Sequence, residues 1–272
     1  MASNLLGTDI RSVLEAALDT AEDRFTLLNP PTTVIEEVVE VGEARGDGPS
    51  IRLVAPRGRI REVMDDFLVA STTADLLDGD RLRLRTAEEL PQTTLLVGTD
   101  RVIAIAALGE TVAGIATTDS AYVADARAAA DRIWDDAEQF NLRTPPMSRV
   151  RATLSDDVGA NVEGDFEAML ASMETARGDG EGLDEVTVSL LAAAKNEELL
   201  YDISRWGEDA GVASKATFSR TKTQLEEAGL ITTEKVPIDV GRPRLRLQLA
   251  DDRLRDASPD ELASVAQSVL AA

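Results

Sequence analysis

Between Leu183 and Leu249 the apolar and turn-forming residues follow a pattern that few small folds can satisfy. Leu183–Lys195 reads as a helix with Val186, Leu190 and Leu191 on its inner face. Glu198–Gly207 reads as a second, with Leu199, Leu200, Ile203 and Trp206 inward. Gly211, Val212 and Ala213 make a turn, and Ser214 is placed to cap a third helix. On that helix Phe218, Thr221, Leu225 and Ala228 share one face, and Gly229 supplies the residue beyond its end. Leu230–Val236 and Arg244–Leu249 then bracket Pro237–Pro243, and the leucines of the second segment alternate with polar residues, as in a β-hairpin. Three short helices closed by a hairpin make a winged helix-turn-helix.

The same stretch reverses the charge of the chain. Ala213–Gln248 carries seven Lys and Arg against four Asp and Glu, whereas the 272 residues together stand at −22. A basic island on an acidic chain marks a surface built to meet a polyanion. Opposite its apolar face, the third helix carries Ala216, Ser219, Arg220 and Thr223, flanked by Lys215 and Lys222. Small side chains let a helix sit deep in the major groove, an Arg offers a fork to guanine or phosphate, and lysines suit the backbone. Arg242 at the hairpin tip, with Arg244 and Arg246 on its second strand, extends this set toward phosphate or a minor groove. The expected DNA-contacting residues are therefore Ser214, Lys215, Ser219, Arg220, Lys222, Thr223, Arg242, Arg244 and Arg246. The expected partner is double-stranded promoter DNA.

Upstream, helical and strand patterns alternate. Asp9 is placed to cap a helix with Ile10, Val13, Leu14, Ala17 and Leu18 apolar. Arg24–Leu28 reads as a buried strand, Thr32–Ala44 as a helix, Ser50–Ala55 as a strand and Arg59–Leu77 as one long helix. Arg81–Thr86, Thr93–Val97, Val102–Ala107 and Thr111–Ala116 read as strands, and Ser120–Phe140 as an Ala-rich helix. This order predicts an α/β domain with a mixed sheet over residues 1–143. Pro145 and Pro146 mark a break before a helical stretch around Asp156–Ala176, with Val158, Val162, Phe166, Met169, Leu170 and Met173 in register. The predicted fold is thus an α/β domain (1–143), a helical connector that dimerises (144–178), a winged helix-turn-helix (179–250) and a C-terminal docking helix (251–272). Gly178–Gly182 is the expected hinge. In the tail, Ser258, Pro259 and Glu261 form an N-terminal cap, and Leu262, Val265 and Val269 share a face that is expected to join Val162, Phe166, Met169 and Met173 in a two-fold interface.

Open α/β sheets bind small molecules outside the carboxyl ends of their strands. Two such ends are legible, Asn29-Pro30-Pro31-Thr32-Thr33 and Pro56-Arg57-Gly58-Arg59, each opening a helix whose free N–H groups favour an anion. Asn29, Thr32, Thr33, Arg57, Gly58 and Arg59 are the expected ligand-binding residues. Pairing of the arginines with Glu62, Asp65 and Asp66 on the same helix is the competing reading. A sugar phosphate or another glycolytic intermediate is the natural ligand.

Fifty acidic residues against 28 basic ones, with Arg far outnumbering Lys, resemble the proteome of a salt-in halophile. Without His or Cys the chain has no imidazole or thiolate for catalysis or metal binding, so neither a metal nor a cofactor is expected. No apolar run reaches 18 residues and no signal peptide is legible, which predicts a soluble cytoplasmic protein with no membrane partner.

Val212–Ile231 (VASKATFSRTKTQLEEAGLI) resembles the recognition helix of many prokaryotic winged-helix regulators. With RFTLLNPP, SIRLVAPRGRIREVMDDF, TTLLVGTDRVIAI and LSDDVGANVEGDFEAML, the whole chain looks like the haloarchaeal TbsP family of transcriptional regulators. That family is related in theme to the sugar-responsive TrmB regulators. The resemblance implies a dimeric DNA-binding regulator of central carbon metabolism. It also implies an N-terminal half like the phospholipase-D-like sensor domain of TrmB-type proteins. The paired His-Lys-Asp motifs of phospholipase D are absent, so that catalysis is not expected and the resemblance implies a shared scaffold at most. Two other readings stand beside this one. The winged helix serves as a protein-interaction adaptor that does not contact DNA, or the chain is a carboxylate–magnesium phosphohydrolase. The second would need Asp or Glu at the strand ends, which carry Asn, Pro, Thr and Arg instead.

Overall fold

The computed structural model describes residues 5–6, 9–19, 24–46, 48–108, 111–173, 183–238 and 243–270. The chain divides into two compact units, one of residues 1–64 with 72–143, the other of residues 65–71 with 144–272.

The first unit runs β1 (Leu5–Leu6), α1 (Ile10–Asp19), β2 (Arg24–Leu28), α2 (Thr32–Arg45), β3 (Ser50–Ala55), α3 (Arg57–Met64), α4 (Phe67–Asp78, whose first residues, 67–71, count with the second unit), β4 (Leu82–Thr86), β5 (Thr94–Val97), β6 (Val102–Leu108), β7 (Thr111–Thr117), α5 (Ser120–Asp136) and β8 (Glu138–Gln139). The strands form one mixed sheet in the order β1-β7-β6-β5-β2-β3-β4-β8. The neighbours β2, β3 and β4 run parallel, each joined to the next through helices, whereas the hairpin-linked β5, β6 and β7 are antiparallel. Strand alternation distributes the core between the two faces. Leu28, Val54, Val97 and Val102 pack with Val123, Ala130 and Trp134 of α5. Ile51 and Leu82 turn to the other face, where they meet Leu18 of α1, Val38 of α2 and Leu76 of α4.

Two helices end earlier than their periodicity predicts. The Arg59–Leu77 segment is two helices, not one. The carboxylate of Asp66, only 2% exposed, accepts from the backbone N–H of Leu68 and Val69 and so caps a new helix. The Ser120–Phe140 segment stops at Asp136. Beyond it Glu138 and Gln139 pair with β4, and Phe140 N–H donates to the Leu84 carbonyl. Satisfying that exposed strand edge outweighs continuing a helix.

The second unit holds α6 (Met147–Asp157), α7 (Ala160–Ala171), α8 (Glu185–Lys195), α9 (Leu200–Ala210), α10 (Lys215–Glu227), β9 (Ile231–Val236), β10 (Arg244–Leu249), α11 (Asp252–Arg255) and α12 (Pro259–Leu270). The helical stretch expected around Asp156–Ala176 breaks at Gly159, whose φ of 156° few side chains tolerate. Val162, Phe166 and Met169 are wholly buried in this unit's own core together with Leu190, Trp206, Phe218 and Leu247. Their assignment to a two-fold interface is therefore corrected: one continuous core leaves them no outward face. The Trp206 ring meets Phe166 edge to face at 6.4 Å, and its indole N–H donates to Thr153 Oγ1 at 3.0 Å. The tail helix α12 buries Leu262, Ala263 and Ala266, whereas Val265 and Val269 point outward. Gly178–Gly182, read as a hinge, lies outside the described residues.

Candidate nucleic-acid interface

The third helix of the motif is built as its sequence demands. Ser214 Oγ accepts from Thr217 N–H, so α10 starts at Lys215. Gly211 (φ 85°) ends α9, and Gly229 (φ 72°) follows α10, both in the left-handed region. Phe218, Thr221 and Leu225 are buried, which turns Lys215, Ala216, Ser219, Arg220 and Thr223 outward. The hairpin β9–β10 is extended by Leu199, which bridges to Arg246, and Leu247 N–H donates to the Glu198 carbonyl at 2.8 Å. That single bridge lies against the β10 edge of the two-stranded hairpin and leaves β9 as the other edge.

The basic residues do not form one uniform patch. Lys215 Nζ pairs with Glu208 at 2.6 Å, an exposed pair that holds the Glu208 carboxyl below its usual range through that hydrogen bond. Lys222 is largely buried; its Nζ donates to Glu226 at 2.6 Å, and Thr233 Oγ1 of β9 donates to the same carboxylate. Burial works to raise the Glu226 pKa, and the Lys222 and Thr233 hydrogen bonds overcome it, leaving it below the usual carboxylate range. Lys222 thus fastens α10 to the wing. Arg220 has no carboxylate partner among the described residues. It stands exposed between Ala216 and Thr223 with its guanidinium available.

Strand alternation separates the wing arginines from α10. Thr233 and Leu247 share the hairpin face turned toward that helix, so Arg244 and Arg246 belong to the other face. There the Arg244 guanidinium lies 4.1 Å from the centre of the Tyr201 ring and 3.7 Å from Asp202. Arg246 lies 3.8 Å from Glu234. Lys235, which is not among the residues expected from the sequence, is exposed on β9 on the same side as Thr233. Its signal in the sequence is its place in the basic stretch 213–248, and the register that pairs it with Leu245 sets its side. Arg242 lies outside the described residues.

The expected ligand residues at the carboxyl strand ends are brought together and then engaged with one another. Arg59 Nη1 donates to Asn29 Oδ1 at 2.8 Å and to the Pro30 carbonyl at 2.7 Å. Asn29 Nδ2 donates to the Pro91 carbonyl, and Thr94 Oγ1 donates to the Asn29 carbonyl. Arg57 pairs with Glu138 at 2.9 Å. Arg59 therefore ties the first turn of α3 to the loop after β2, and its partner is that loop rather than Glu62, Asp65 or Asp66. Thr32, Thr33 and Gly58 sit at the starts of α2 and α3, with Thr33 and Gly58 exposed. No helix among the described residues is long and apolar enough to cross a membrane.

Comparison with known proteins places this geometry. Residues 146–267 match the family model of the TbsP-like transcriptional regulator, C-terminal HTH domain, and residues 2–145 match its N-terminal counterpart. The chain belongs to the TbsP-like transcriptional regulators. This is a family of DNA-binding regulators and not of enzymes. Among solved structures it is similar to TrmBL2, an archaeal chromatin protein with a novel mode of DNA binding, at 14% identity and a TM-score of 0.37. That likeness covers 51% of this chain and 54% of the other, so the chain spans about half the length of TrmBL2. No curated protein matches the chain.

Proposed function

We propose that the protein acts in the cytoplasm as a homodimeric, sequence-specific regulator of central carbon metabolism, inserting the outer face of α10 into the major groove and responding to a small anionic metabolite. The observation that carries this reading is the outer face itself. On a chain with 50 acidic residues, Ala216, Ser219 and Thr223 frame an exposed arginine that no described carboxylate neutralises. Two such helices, about 34 Å apart in a dimer, would read a pseudopalindrome. Residues 1–143 are proposed as the sensing part, and the winged helix as the reading part. Arg244 and Arg246 are proposed to hold the wing's outer face near phosphate, and Lys235 to supply a contact on the α10 side.

Chromatin immunoprecipitation of the tagged protein, from cells grown with and without sugar, tests the reading. Discrete promoter peaks that change with carbon source support it. Peaks indifferent to carbon source remove the metabolic part, and an absence of peaks favours an adaptor that does not touch DNA.

A further inference from the structure

The α5 side of the N-terminal sheet carries a row of arginines. Arg24 begins β2, Arg52 lies in β3, and Arg83 and Arg85 lie in β4; register and alternation put all four on one face. Most of this charge is accounted for. Arg52 Nη1 pairs with Asp131 of α5 at 3.2 Å and lies 4.9 Å from the centre of the Trp134 ring; Arg85 lies 4.5 Å from the same ring. Arg83 pairs with Asp80. Arg24 has no carboxylate partner among the described residues, and Arg127 of α5 reaches only the Thr99 carbonyl at 3.5 Å. Burial first, and then the like charge of Arg24, push the pKa of Arg52 below its ordinary value, with Asp131 and Asp135 opposing. Among the described residues, this region therefore holds more positive charge than its carboxylates neutralise.

Arg24 and Arg127 open onto a cleft of about 290 Å³, at the amino ends of β2 and β3 and beside the carboxyl end of β5. Thr26, Ser50 and Thr99 add hydroxyls to its wall. Gly98 also lines it, and its missing side chain makes room for the Phe25 ring on the other face of the sheet, from which a Cβ would lie 2.5 Å. The volume equals that of roughly ten waters at about 30 Å³ each, the bulk of a small organic phosphate. A larger cleft of about 610 Å³, near the carboxyl end of β4, holds Arg57 and Arg132 against Glu88, Glu89, Asp136 and Glu138. An anion is repelled there. Among the described residues that line the smaller cleft, the one carboxylate, Asp131, is already paired with Arg52, and two further guanidiniums line the space. Guanidinium forks and hydroxyls are the donors a phosphate monoester needs.

We propose that this amino-end cleft binds a small organic phosphate, with Arg24 and Arg127 clamping the phosphoryl oxygens and Thr26, Ser50 and Thr99 completing their hydrogen bonds. The site deepens the reading of a metabolite-tuned regulator and moves the expected ligand from the braced carboxyl ends to the opposite end of the parallel strands. The binding claim stands on the cleft; only an effect on DNA rests on that wider reading.

Isothermal titration of the full chain with glycerol 3-phosphate, and separately with glycerol and inorganic phosphate, tests it at fixed potassium chloride. One glycerol 3-phosphate is expected per chain, with no heat from glycerol. The Arg24→Gln and Arg127→Gln variants, both altered at exposed side chains, should each bind at least tenfold more weakly. Asp131→Asn should bind a few-fold more tightly, because it removes the nearest negative charge without removing a donor. Saturable binding of inorganic phosphate that is also lost in both arginine variants supports the phosphoryl clamp. No binding by the unaltered chain, or affinity unchanged in both arginine variants, overturns the proposal. Operator affinity measured with and without ligand is a separate readout: its indifference to a ligand that binds through Arg24 and Arg127 counts against metabolite tuning and leaves the site in place.

Discussion

Gly207 of α9 and Phe218 of α10 meet so closely that a Cβ on residue 207 would lie 2.1 Å from the Phe218 ring. Phe218 is fully buried, so its ring has no route of escape. The glycine is what lets the two helices of the DNA-reading motif cross at this distance.

Gly207→Ala is therefore expected to destabilise the second unit by about 1–3 kcal/mol and to displace α10. Operator affinity should fall even where the protein remains folded. A thermal melt combined with fluorescence-anisotropy titration checks both effects, and an Ala variant with unaltered melting and binding contradicts the packing described.

Arg220 and Lys222 are separated by one residue and have different roles. Arg220→Ala should lose about 1–3 kcal/mol of operator binding without a change in melting temperature. Lys222→Ala removes the buried partner of Glu226 and should cost about 1–2 kcal/mol of stability, with DNA binding falling as a consequence. Measuring stability and affinity for both variants separates reader from fastener; the reverse pattern would exchange their roles.

Charge distribution predicts an unusual response to salt. Ordinary DNA binding weakens steeply as salt rises, through loss of counterion release. Here Lys215, Lys222, Arg244 and Arg246 each have a carboxylate within 4 Å, so few cations remain to displace counterions. Affinity should depend weakly on potassium chloride or rise with it, as cations accumulate at the acidic surface. A steep loss of affinity across a salt titration would show that more phosphates are neutralised than this geometry allows.

Glu185 begins α8 with its carboxyl pKa pushed up to about 7 by burial, opposed by its own backbone hydrogen bond and reinforced by Asp184 and Asp66. The folded state thus holds a proton that the unfolded chain releases near 4.5. Stability from this group is full below that value and is lost as pH rises through about 7, amounting to about 3 kcal/mol at alkaline pH. Glu185→Gln should raise the melting temperature at about pH 8, with the gain closing by about pH 5. Calorimetry at both values checks the sign, and a Gln variant that melts lower at the higher pH refutes it.

Exposed apolar residues concentrate on α12, where Val265, Val269 and Leu270 are 40%, 39% and 37% exposed. If this stripe is the two-fold contact, Val269→Glu should yield a monomer by analytical ultracentrifugation while leaving the melting curve of the second unit unchanged. A dimer that persists in the variant places the contact elsewhere.

Much of this architecture was legible before any coordinates. Strands β2 and β3 fall at the residues their apolar runs mark, and Ser214, Gly211 and Gly229 end and begin helices as their chemistry requires. Cap and turn signals act within a few residues, so a linear reading captures them. The break at Asp66 was not legible, because an Asp beside another Asp on a periodic helix looks like a solvated face. Only its burial reveals the cap. The same holds for α5, where an alanine-rich period continues past the point at which a neighbouring strand edge claims Glu138 and Gln139.

At the site, sequence alone determined which face of α10 is apolar and which is small and polar, since helical geometry follows from spacing. It also determined the local reversal of charge. Only the tertiary structure decided which cations are available. Lys222 and Arg220 are equivalent on paper; burial against Glu226 and β9 uses one, and solvent leaves the other. Asn29 and Arg59 likewise carry the chemistry of an anion site, yet the loops that bring them together let them satisfy each other. Arg24 and Arg127, 103 positions apart, acquire a shared cleft only through the pairing of β2 with β5 and the packing of α5. Pairing energies depend on distance and dielectric, and both are properties of the fold rather than of the chain.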